Sequence, residues 1–424
     1  MTAQGPWPIR PFAEVADYGV GKTPARANAD YWAKSDQDIP WVSISDLEPF
    51  GVVTDTKERA SRKAFDDVFR GKLVPAGTLL MSFKLTIGKV ATLGIPAAHN
   101  EAIISIFPRP GVDQRFLGYF LSQFDYKELQ DRQIKGNTLN KSKIDRIPVP
   151  VPPETEQSKI ADVLDSLRRA VDLQRSVLAN LDQLKAAAMQ QLFAQGLRAE
   201  AQKDTEIGPL PGSWELVTID KHFSVVSGGT PSRGNASYWL DGTIPWVKTT
   251  EVKYAVITET EEHITPAGLD GSAAKLLPPG TLLLAMYGQG VTRGKVGILG
   301  IEATCNQACA AMTPKDDDVL PRYLYHYLTS RYEAIRSLAH GGQQQNLNLD
   351  IVRTIDVPVP STADEQQEIA DVLDALDRKI DLQRRKRDVL DQLFKSLLYK
   401  LMTGEVSVED LDLSALPTLE GSAA

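Results

Sequence analysis

The chain has 424 residues and contains one sequence plan twice. The segment EQSKIADVLDSLRRAVDLQR at 156–175 and the segment EQQEIADVLDALDRKIDLQR at 365–384 agree at 14 of 20 positions. The similarity continues outside these segments, since GKTPARANADYW at 21–32 matches GGTPSRGNASYW at 228–239. Further matches follow in the same order at offsets of 203 to 209. One half of the chain is therefore a copy of the other, with small insertions and deletions.

Each copy consists of a globular part followed by a long helix. Short apolar runs such as TLLMSF and IISIF, separated by Gly and Pro, indicate brief strands between turns. Acidic residues crowd the first turns of each helix, and Gly196 and Gly404 stand where the helices would end. The sequence predicts an α+β protein, with two pseudo-symmetric mixed α/β domains joined by two long helices that form an antiparallel coiled coil. The predicted segments are a first domain at 1–153, a first spacer helix at 154–198, a second domain at 199–361, a second spacer helix at 362–404 and a C-terminal tail at 405–424.

Both helices carry an apolar seam in which the spacing alternates between three and four residues. This alternation is typical of a coiled coil, and it lasts about 40 residues, longer than an ordinary globular helix. The alternative is that each helix merely lies on its own domain. The predicted helix–helix interface consists of Ile160, Leu164, Leu167, Val171, Gln174 and Leu181 in the first helix, and Ile369, Leu373, Leu376, Ile380, Gln383 and Leu390 in the second.

Two glutamines occupy seam positions close to the middle of the helices. In an antiparallel pair, equivalent residues face each other only at the dyad, so Gln174 and Gln383 are expected to meet there. A polar pair in a seam specifies register at some cost in stability. The alternative is that each glutamine turns toward solvent.

Composition limits the classes of function. The net charge of −8 disfavours a polyanionic partner, but residues 1–153 alone carry 20 basic and 17 acidic side chains, so a local basic surface is still possible. The longest apolar runs fall far short of the roughly 20 residues that span a bilayer. Two cysteines and an N-terminal stretch without signal-peptide features predict a cytoplasmic protein that does not enter a membrane.

A pseudo-symmetric pair of domains on a rigid spacer is the geometry of a dimeric DNA reader with two half-sites. Positions where the copies agree are interpreted as scaffold, and polar positions beside the shared turns as determinants of specificity. Arg, Lys, Gln, Asn, Ser and Thr can address phosphates or base edges. The predicted DNA-binding residues are Lys22, Arg26, Ser43, Ser45, Lys84, Thr86, Lys135 and Asn137 in the first copy, and Arg233, Lys248, Thr249, Thr250, Tyr287, Gln289, Arg293, Gln343, Gln344 and Gln345 in the second. For each of them the alternative is a solvated loop residue.

The sequence lacks the spacings of common catalytic and metal-binding motifs. VTRGKV at 291–296 lacks the spacing of a phosphate loop, and Cys305 and Cys309 have no second pair to complete a zinc site. The sequence contains no GxSxG or HExxH stretch. It therefore predicts no catalytic residues and no metal or cofactor on this chain.

The segments IPVPVPPETEQSKIADVLD and DVPVPSTADEQQEIADVLD, together with GPLPGSWE, GGTPS, IPWV and PGTLL, resemble the specificity subunits of type I restriction-modification systems. The resemblance covers nearly the whole chain. It implies a subunit without an active site that reads a split, asymmetric site in double-stranded DNA, with the helices setting the gap between half-sites. It also implies two methyltransferase (modification) subunits that use S-adenosylmethionine, and restriction subunits that translocate DNA with ATP and Mg. The methyltransferase subunits would dock largely on the helices.

Two other functions remain open at this stage. The first is a DNA-independent assembly scaffold, in which the coiled coil separates two partner-binding domains. The second is an enzyme with duplicated sites, for which the matched pairs are Asn100 with Asn306 and Lys89 with Lys295. Recognition domains in this family differ strongly in sequence, so no base contact is transferred by resemblance.

Overall fold

The computed structural model describes residues 7–32, 38–129, 131–133, 136–288, 291–340 and 346–411. The chain divides into two compact units, the first formed by Met1–Arg175 with Arg385–Ala424 and the second by Ser176–Arg384. Each unit therefore combines one globular domain with half of each long helix.

The described strands and helices of the first unit follow the predicted alternation of short strands and turns. Its strands are β1 (Ile9–Pro11), β2 (Ala16–Val20), β3 (Ile39–Val42), β4 (Val52–Val53), β5 (Glu58–Ala60), β6 (Leu79–Ser82), β7 (Val90–Leu93), β8 (Ala98–His99), β9 (Ile103–Pro108), β10 (Asp131–Gln133), β11 (Gly136–Thr138) and β12 (Pro148–Pro150). Its helices are α1 (Phe12–Val15), α2 (Arg62–Asp67), α3 (Gln114–Gln123), α4 (Lys141–Asp145), the first half of α5 (Glu154–Gln195) and the second half of α11 (Ala363–Thr403).

The second unit repeats this series. Its strands are β13 (Gln202–Thr205), β14 (Gly208–Pro211), β15 (Glu215–Thr218), β16 (Phe223–Ser227), β17 (Ile244–Val247), β18 (Val256–Ile257), β19 (Glu262–Ile264), β20 (Leu282–Ala285), β21 (Val296–Leu299), β22 (Thr304–Cys305), β23 (Cys309–Pro314) and β24 (Asp356–Val359). Its helices are α6 (Ile219–His222), α7 (Pro266–Asp270), α8 (Pro321–Ser330), α9 (Tyr332–Ser337), α10 (Leu349–Arg353), the second half of α5 and the first half of α11 (Ala363–Thr403).

Both units contain the same two sheets. A five-stranded sheet has the order β2-β9-β6-β7-β4 in the first unit and β16-β23-β20-β21-β18 in the second. A three-stranded sheet has the order β5-β3-β8 or β19-β17-β22. All residues of the central strand β6 are buried, which explains its continuous apolar run, since a strand covered on both faces has no solvated side to alternate with. The duplication seen in the sequence is therefore a duplication of topology.

Helices α5 and α11 run antiparallel to each other within each unit. In the second unit Lys185 lies 2.5 Å from Asp377, whereas Arg198, just past the end of α5, lies 2.9 Å from Glu368, so the numbering rises along one helix as it falls along the other. In the first unit Lys159 near the start of α5 contacts Glu409, beyond the end of α11. The antiparallel pairing predicted from the seam is confirmed. Although both helices are long, no described helix is apolar enough along its length to cross a membrane.

The predicted seam is largely buried, but it contacts more than the other helix. Of the twelve interface positions, Leu181, Leu376, Gln383 and Leu390 are half-buried and the other eight are buried. In the first unit Ile160, Leu164 and Leu167 belong to one core with residues of the globular domain and with the end of α11. The helices therefore pair and also lie on the domains. Gln174 belongs to the first unit and Gln383 to the second, so their contact remains a prediction.

Candidate nucleic-acid interface

In the first unit an arginine, two tryptophans and a glutamate form a cluster on the three-stranded sheet. Trp41 of β3 is buried, and its ring stands perpendicular to that of Trp32 at a centroid distance of 5.1 Å. The Arg26 guanidinium lies 3.9 Å from the Trp32 ring centroid and binds both oxygens of Glu58, at 2.5 and 2.8 Å. These hydrogen bonds lower the pKa of Glu58. The arginine is thus held by stacking and by charge.

The second unit contains the same cluster. Arg233 lies 3.8 Å from the Trp239 centroid and 2.7 Å from a carboxylate oxygen of Glu262. Trp239 and Trp246 are again perpendicular, with centroids 5.0 Å apart. Arg26 and Arg233 occupy one equivalent position with equivalent partners, although both are among the predicted determinants of specificity. By the criterion that shared positions form the scaffold, both arginines support the fold, and DNA contact by them stays a prediction.

The turn after the central strand of this sheet has the same backbone in both units but different side chains. In the first unit the Ser43 N–H and hydroxyl both donate to Asp46, at 2.8 and 2.7 Å. In the second unit the Lys248 N–H donates to Glu251 at 2.7 Å, while the lysine Nζ lies 2.5 Å from Glu261. This turn therefore carries hydroxyl groups in the first unit and an ion pair in the second.

A second charge difference lies next to this turn. The Lys57 N–H donates to Asp46 at 3.3 Å, and the Glu261 N–H donates to Glu251 at 2.9 Å, which makes Lys57 and Glu261 equivalent. In the first unit Lys57 Nζ also donates to the Ser45 carbonyl. Opposite charges at one backbone position are the type of difference that a pair of readers with different half-sites requires. Lys57 was not among the predicted residues.

Thr249 and Thr250, which follow Lys248, differ in accessibility. Thr249 is only 8% exposed, and its hydroxyl donates to Asn306 at 2.9 Å. This burial argues against a base contact by Thr249. Thr250 is exposed, as is Ser45 at the equivalent place in the first unit.

The turn between β6 and β7 of the first unit is shorter than the equivalent turn between β20 and β21 of the second unit. In the first unit the Gly88 N–H donates to the Ser82 carbonyl. In the second unit the Gly294 N–H donates to the Ala285 carbonyl, and the turn between these two residues is three residues longer. The shorter turn holds Lys84, half-buried with Nζ 5.2 Å from the Phe83 ring, and the exposed Thr86.

The longer turn holds the 42% exposed Tyr287. It also holds Arg293, whose carbonyl accepts a hydrogen bond from Arg336 at 3.2 Å. In the first unit, near the Arg26 cluster, Lys22 donates from Nζ to the Val68 carbonyl at 2.9 Å. Asn137 lies in strand β11. The predicted residues Lys135, Gln289, Gln343, Gln344 and Gln345 lie outside the described parts of the chain.

The duplicated Glu-Gln pair at the start of each long helix joins that helix to its domain, which our sequence analysis missed. In the first unit Glu156 accepts from the Trp7 indole at 3.2 Å. Gln157, 1% exposed, donates to the Gly111 and Pro152 carbonyls at 3.0 and 2.9 Å and accepts from the Asp113 N–H at 2.8 Å. Every hydrogen-bonding group of this amide is used, as burial requires.

The second unit repeats these contacts. Glu365 accepts from the Trp214 indole at 3.3 Å, and Gln366 donates to the Asp318 carbonyl at 2.8 Å and accepts from the Leu320 N–H at 2.9 Å. The Glu-Gln pair is visible in both copies of the sequence, but acidic and amide residues at the start of a helix are equally explained by capping. The pair sets how each domain is carried on its helix.

The described residues offer little for catalysis. Cys305 and Cys309 are buried and free, and the hydrogen bond between them, with burial, raises the pKa of Cys305 well above its usual value, so it is not an activated nucleophile. His222, Asp316 and Asp318 are close enough to hold a metal ion, but both aspartates are exposed and His222 is already bonded to Asp316 at 3.0 Å. Val15 takes the place of His222 in the first unit, so this group is not part of the duplicated plan.

Comparison with known proteins finds matches over both copies. A family model for the type I restriction modification DNA specificity domain matches residues 5–183 and again residues 211–392. The type I restriction enzyme MjaIX specificity subunit of Methanocaldococcus jannaschii is 22% identical over 422 residues, with 96% of this chain and 94% of that protein covered. The MjaVIII specificity subunit of the same organism is 23% identical over 292 residues, with 66% of this chain and 68% of that protein covered. The crystal structure of the S subunit of a type I restriction-modification system from M. genitalium superposes with a TM-score of 0.60 at 15% identity, over 95% of this chain and 97% of that chain.

Proposed function

The chain belongs to the family of type I restriction-modification DNA specificity proteins, and we propose that it reads a split DNA target with one half-site for each unit. It carries no reaction itself. Its contribution is to select the sequence and to hold the subunits that act on it.

One observation carries this proposal. Two domains of the same topology differ in the side chains of equivalent turns. Ser43 and Lys57 of the first unit correspond to Lys248 and Glu261 of the second. A repeated scaffold with unlike side chains on its turns suits the recognition of two unlike half-sites. A scaffold that bound two identical partners would have no reason to differ there.

The proposed partners are double-stranded DNA, two methyltransferase subunits and restriction subunits. The methyltransferase subunits would supply S-adenosylmethionine chemistry, and the restriction subunits ATP with Mg. Exposed charged residues on the long helices, among them Arg169 and Arg378, are available for docking. Action on chromosomal DNA fits the predicted cytoplasmic location.

The proposal is tested by co-expressing the chain with the methyltransferase encoded beside it and mapping methylated adenines across the host genome. We expect methylation confined to one split motif with a constant gap. A soluble complex that methylates no defined motif would contradict the proposal and would favour the DNA-independent scaffold.

Binding assays separate the same two functions. If the complex contacts phosphates, its affinity for a DNA duplex containing the motif falls by roughly 10³ or more between 50 and 200 mM salt, as expected for about six or more phosphate contacts. A DNA-independent scaffold would show no motif-dependent binding at either salt concentration.

A further inference from the structure

The turn between β6 and β7 and the turn between β20 and β21 each present an aliphatic side chain to solvent. Leu85, in the middle of the first turn, is 61% exposed, and Val291 in the second turn is 68% exposed. One exposed apolar residue is ordinary on a protein surface. A pair at equivalent turns, which otherwise differ in length and sequence, is a feature that the two copies share.

Leu85 also has a strained backbone. Its φ is 64°, in the left-handed region that residues with a Cβ rarely adopt. Glycine adopts this region freely, and the chain does use glycine three residues later, where Gly88 has a φ of 82°. Glycine at position 85 would remove both the strain and the exposed apolar surface. Strain that one substitution would relieve is typical of positions kept for function.

Hydrogen bonds fix the first turn around Leu85. The Ser82 hydroxyl donates to the Thr86 carbonyl and accepts from the Lys89 N–H at 3.1 Å. The Gly88 N–H donates to the Ser82 carbonyl at 2.9 Å. The leucine therefore projects from a turn that is closed on a buried serine.

The longer turn of the second unit is held from α9. The Tyr332 hydroxyl donates to the Val291 carbonyl at 2.7 Å, and Arg336 donates to the Tyr332 hydroxyl at 2.8 Å. Arg336 also donates to the Arg293 carbonyl at 3.2 Å. The two units thus support the exposed side chain by different bonds, so they share its presentation and not the means of holding it.

In the first unit this turn lies beside the turn that follows β3. The Asn100 N–H donates at 3.0 Å to the carbonyl of Val42, the last residue of β3. Asn100 Oδ1 accepts from the Ala102 N–H at 2.9 Å. The Ala102 carbonyl accepts at 2.9 Å from the N–H of Phe83, the first residue of the Leu85 turn. One asparagine therefore connects the two turns.

The second unit repeats this connection through Asn306. Its N–H donates to the Val247 carbonyl at 3.0 Å, and its Oδ1 accepts from the Ala308 N–H at 3.2 Å. The Ala308 carbonyl accepts from the Met286 N–H at 2.8 Å. In both units the exposed aliphatic residue therefore lies at the edge where the polar side chains of the two copies differ.

We propose that Leu85 and Val291 are wedges that enter the stack of DNA bases, one in each half-site. The inference rests on the proposed function and adds how each half-site is held. A wedge that partly separates two base pairs kinks the duplex, and the cost of the kink depends on the base step, so the wedge also contributes to selectivity. Leu85 stands between the polar residues Lys84 and Thr86. A single apolar side chain suits a base step, whereas protein interfaces bury a broader apolar centre.

Leu85→Gly separates DNA binding from folding. The thermal midpoint of the full-length chain should stay close to that of the wild type, because relief of strain offsets the greater freedom of the unfolded chain. In complex with the methyltransferase, its affinity for a duplex carrying the mapped motif should fall roughly tenfold or more. Leu85→Asn, which also tolerates the left-handed region, should show the same loss.

Ile9→Ser is the matched control for these variants. Ile9 is a 57% exposed aliphatic residue on β1 of the same unit, and its replacement should leave the affinity for DNA unchanged. Wild-type affinity for the duplex in both Leu85 variants would overturn the proposal.

Fluorescence of 2-aminopurine tests insertion itself, because stacking quenches this adenine analogue. Duplexes carry it at one purine at a time in each half-site, excluding the adenine that becomes methylated. We expect the wild-type complex to raise the fluorescence at one step of each half-site. Leu85→Gly should abolish one of these signals and Val291→Ser the other. No rise at any step, or a rise that both variants retain, would overturn the proposal.

Binding without DNA distinguishes a wedge from a protein contact. Leu85→Gly should bind the purified methyltransferase subunit with wild-type affinity. Weakened binding would assign Leu85 to a protein interface and overturn the proposal. If the wild-type complex methylates no defined motif, the proposed function itself fails, whereas a defined motif with unchanged affinity and fluorescence in Leu85→Gly refutes only the wedge.

Discussion

The contact between helix and domain is built twice on one backbone with different chemistry. In the first unit Tyr119 of α3 donates to Asp165 of α5 at 2.6 Å. Phe394 of α11 packs against Tyr119 and Phe50, with ring centroids 6.2 and 5.6 Å apart. Arg115 Nη1 also lies 3.1 Å from Asp165, so the carboxylate joins an arginine and a tyrosine hydroxyl to an otherwise aromatic layer.

The second unit keeps the arginine–aspartate pair, as Arg322 with Asp374, but replaces Tyr119 and Phe394 of the first unit with a histidine and a lysine. His326 takes the place of Tyr119 and binds Asp374 at 2.7 Å, and Arg322 binds the same carboxylate. Lys185 takes the place of Phe394 and pairs with Asp377. Burial disfavours the charged form of Asp374, but the hydrogen bonds from His326 and Arg322 outweigh it and lower its pKa to about 2.

The comparison shows that the duplicated sequence preserves the backbone and some contacts, such as the arginine–aspartate pair, while the other side chains of this layer differ. A layer of packed rings fails when a ring is lost, whereas a buried charge network fails when one member is lost and its partners remain desolvated. The two units should therefore respond differently to equivalent substitutions.

The largest difference is expected at the central carboxylates. Asp374→Ala should lower the free energy of unfolding by about 3 kcal/mol, since it leaves a buried histidine and an arginine without their acceptor. Asp165→Ala should cost only about 1–2 kcal/mol, because its side chain is 20% exposed and water can take over the hydrogen bonds from Tyr119 and the 44% exposed Arg115. Urea denaturation of the full chain measures both, with the exposed Asp371→Ala as control. Equal losses for the two carboxylates would contradict the comparison.

The Glu-Gln joint should show a smaller difference in the same direction. Glu365 is 2% exposed and accepts from both Trp214 and the Leu197 N–H. Its replacement by alanine should cost about 2–3 kcal/mol, and that of the half-buried Glu156 about 1 kcal/mol. Denaturation followed by tryptophan fluorescence reports on both, because each glutamate holds an indole. A larger loss for Glu156→Ala would reverse our ranking of the two joints.

Sequence reasoning predicted the plan of the fold because that plan is written in periodic and repeated patterns. The heptad seam and the glycines after it placed α5 and α11, and Gly196 and Gly404 do adopt φ values of 63° and 69°, in the left-handed region that ends helices. The sequence did not predict that each domain packs with half of the long helix that follows the other domain, because these contacts join residues about 200 positions apart.

The candidate site was less predictable than the fold. Lys248 and Ser43 were found because they follow a shared strand, but the equivalence of Lys57 with Glu261 depends on backbone hydrogen bonds to the preceding turn. The equivalence of Arg26 and Arg233 was visible in the sequence, and we nevertheless gave these residues to specificity. Their identical stacking on tryptophan suits a scaffold role, and DNA contact by them stays a prediction.

Acid should sharpen the comparison further. The pKa of Asp374 is lowered from 3.8 to about 2, so its charged form stabilises the folded chain above pH 4 and that contribution is lost as the pH falls through 2. The difference in unfolding free energy between the wild-type chain and Asp374→Asn should therefore shrink by about 2 kcal/mol between pH 6 and pH 2. Urea denaturation at a series of pH values measures this change. A difference that stays constant with pH would mean that Asp374 is not held by its cationic partners.

The smallest effect is expected at two exposed ion pairs of opposite polarity. Lys159 of α5 pairs with Glu409, and the equivalent position of α11 is Glu368, which pairs with Arg198. Lys159→Glu should cost less than about 1 kcal/mol at low salt, since exposed pairs contribute little. Adding Glu409→Lys should restore the loss. A double-mutant cycle by thermal denaturation tests this pair, and a coupling that persists in high salt would contradict surface screening.

The central claim is that each unit reads its own half of one DNA target. The most direct test replaces residues 1–153 with the corresponding domain of a relative, co-expresses the hybrid with the methyltransferase and maps methylated adenines across the genome. We predict that one half of the methylated motif changes, while the other half and the gap between them stay as in the wild-type complex. A motif that changes in both halves, or in neither, would contradict the account.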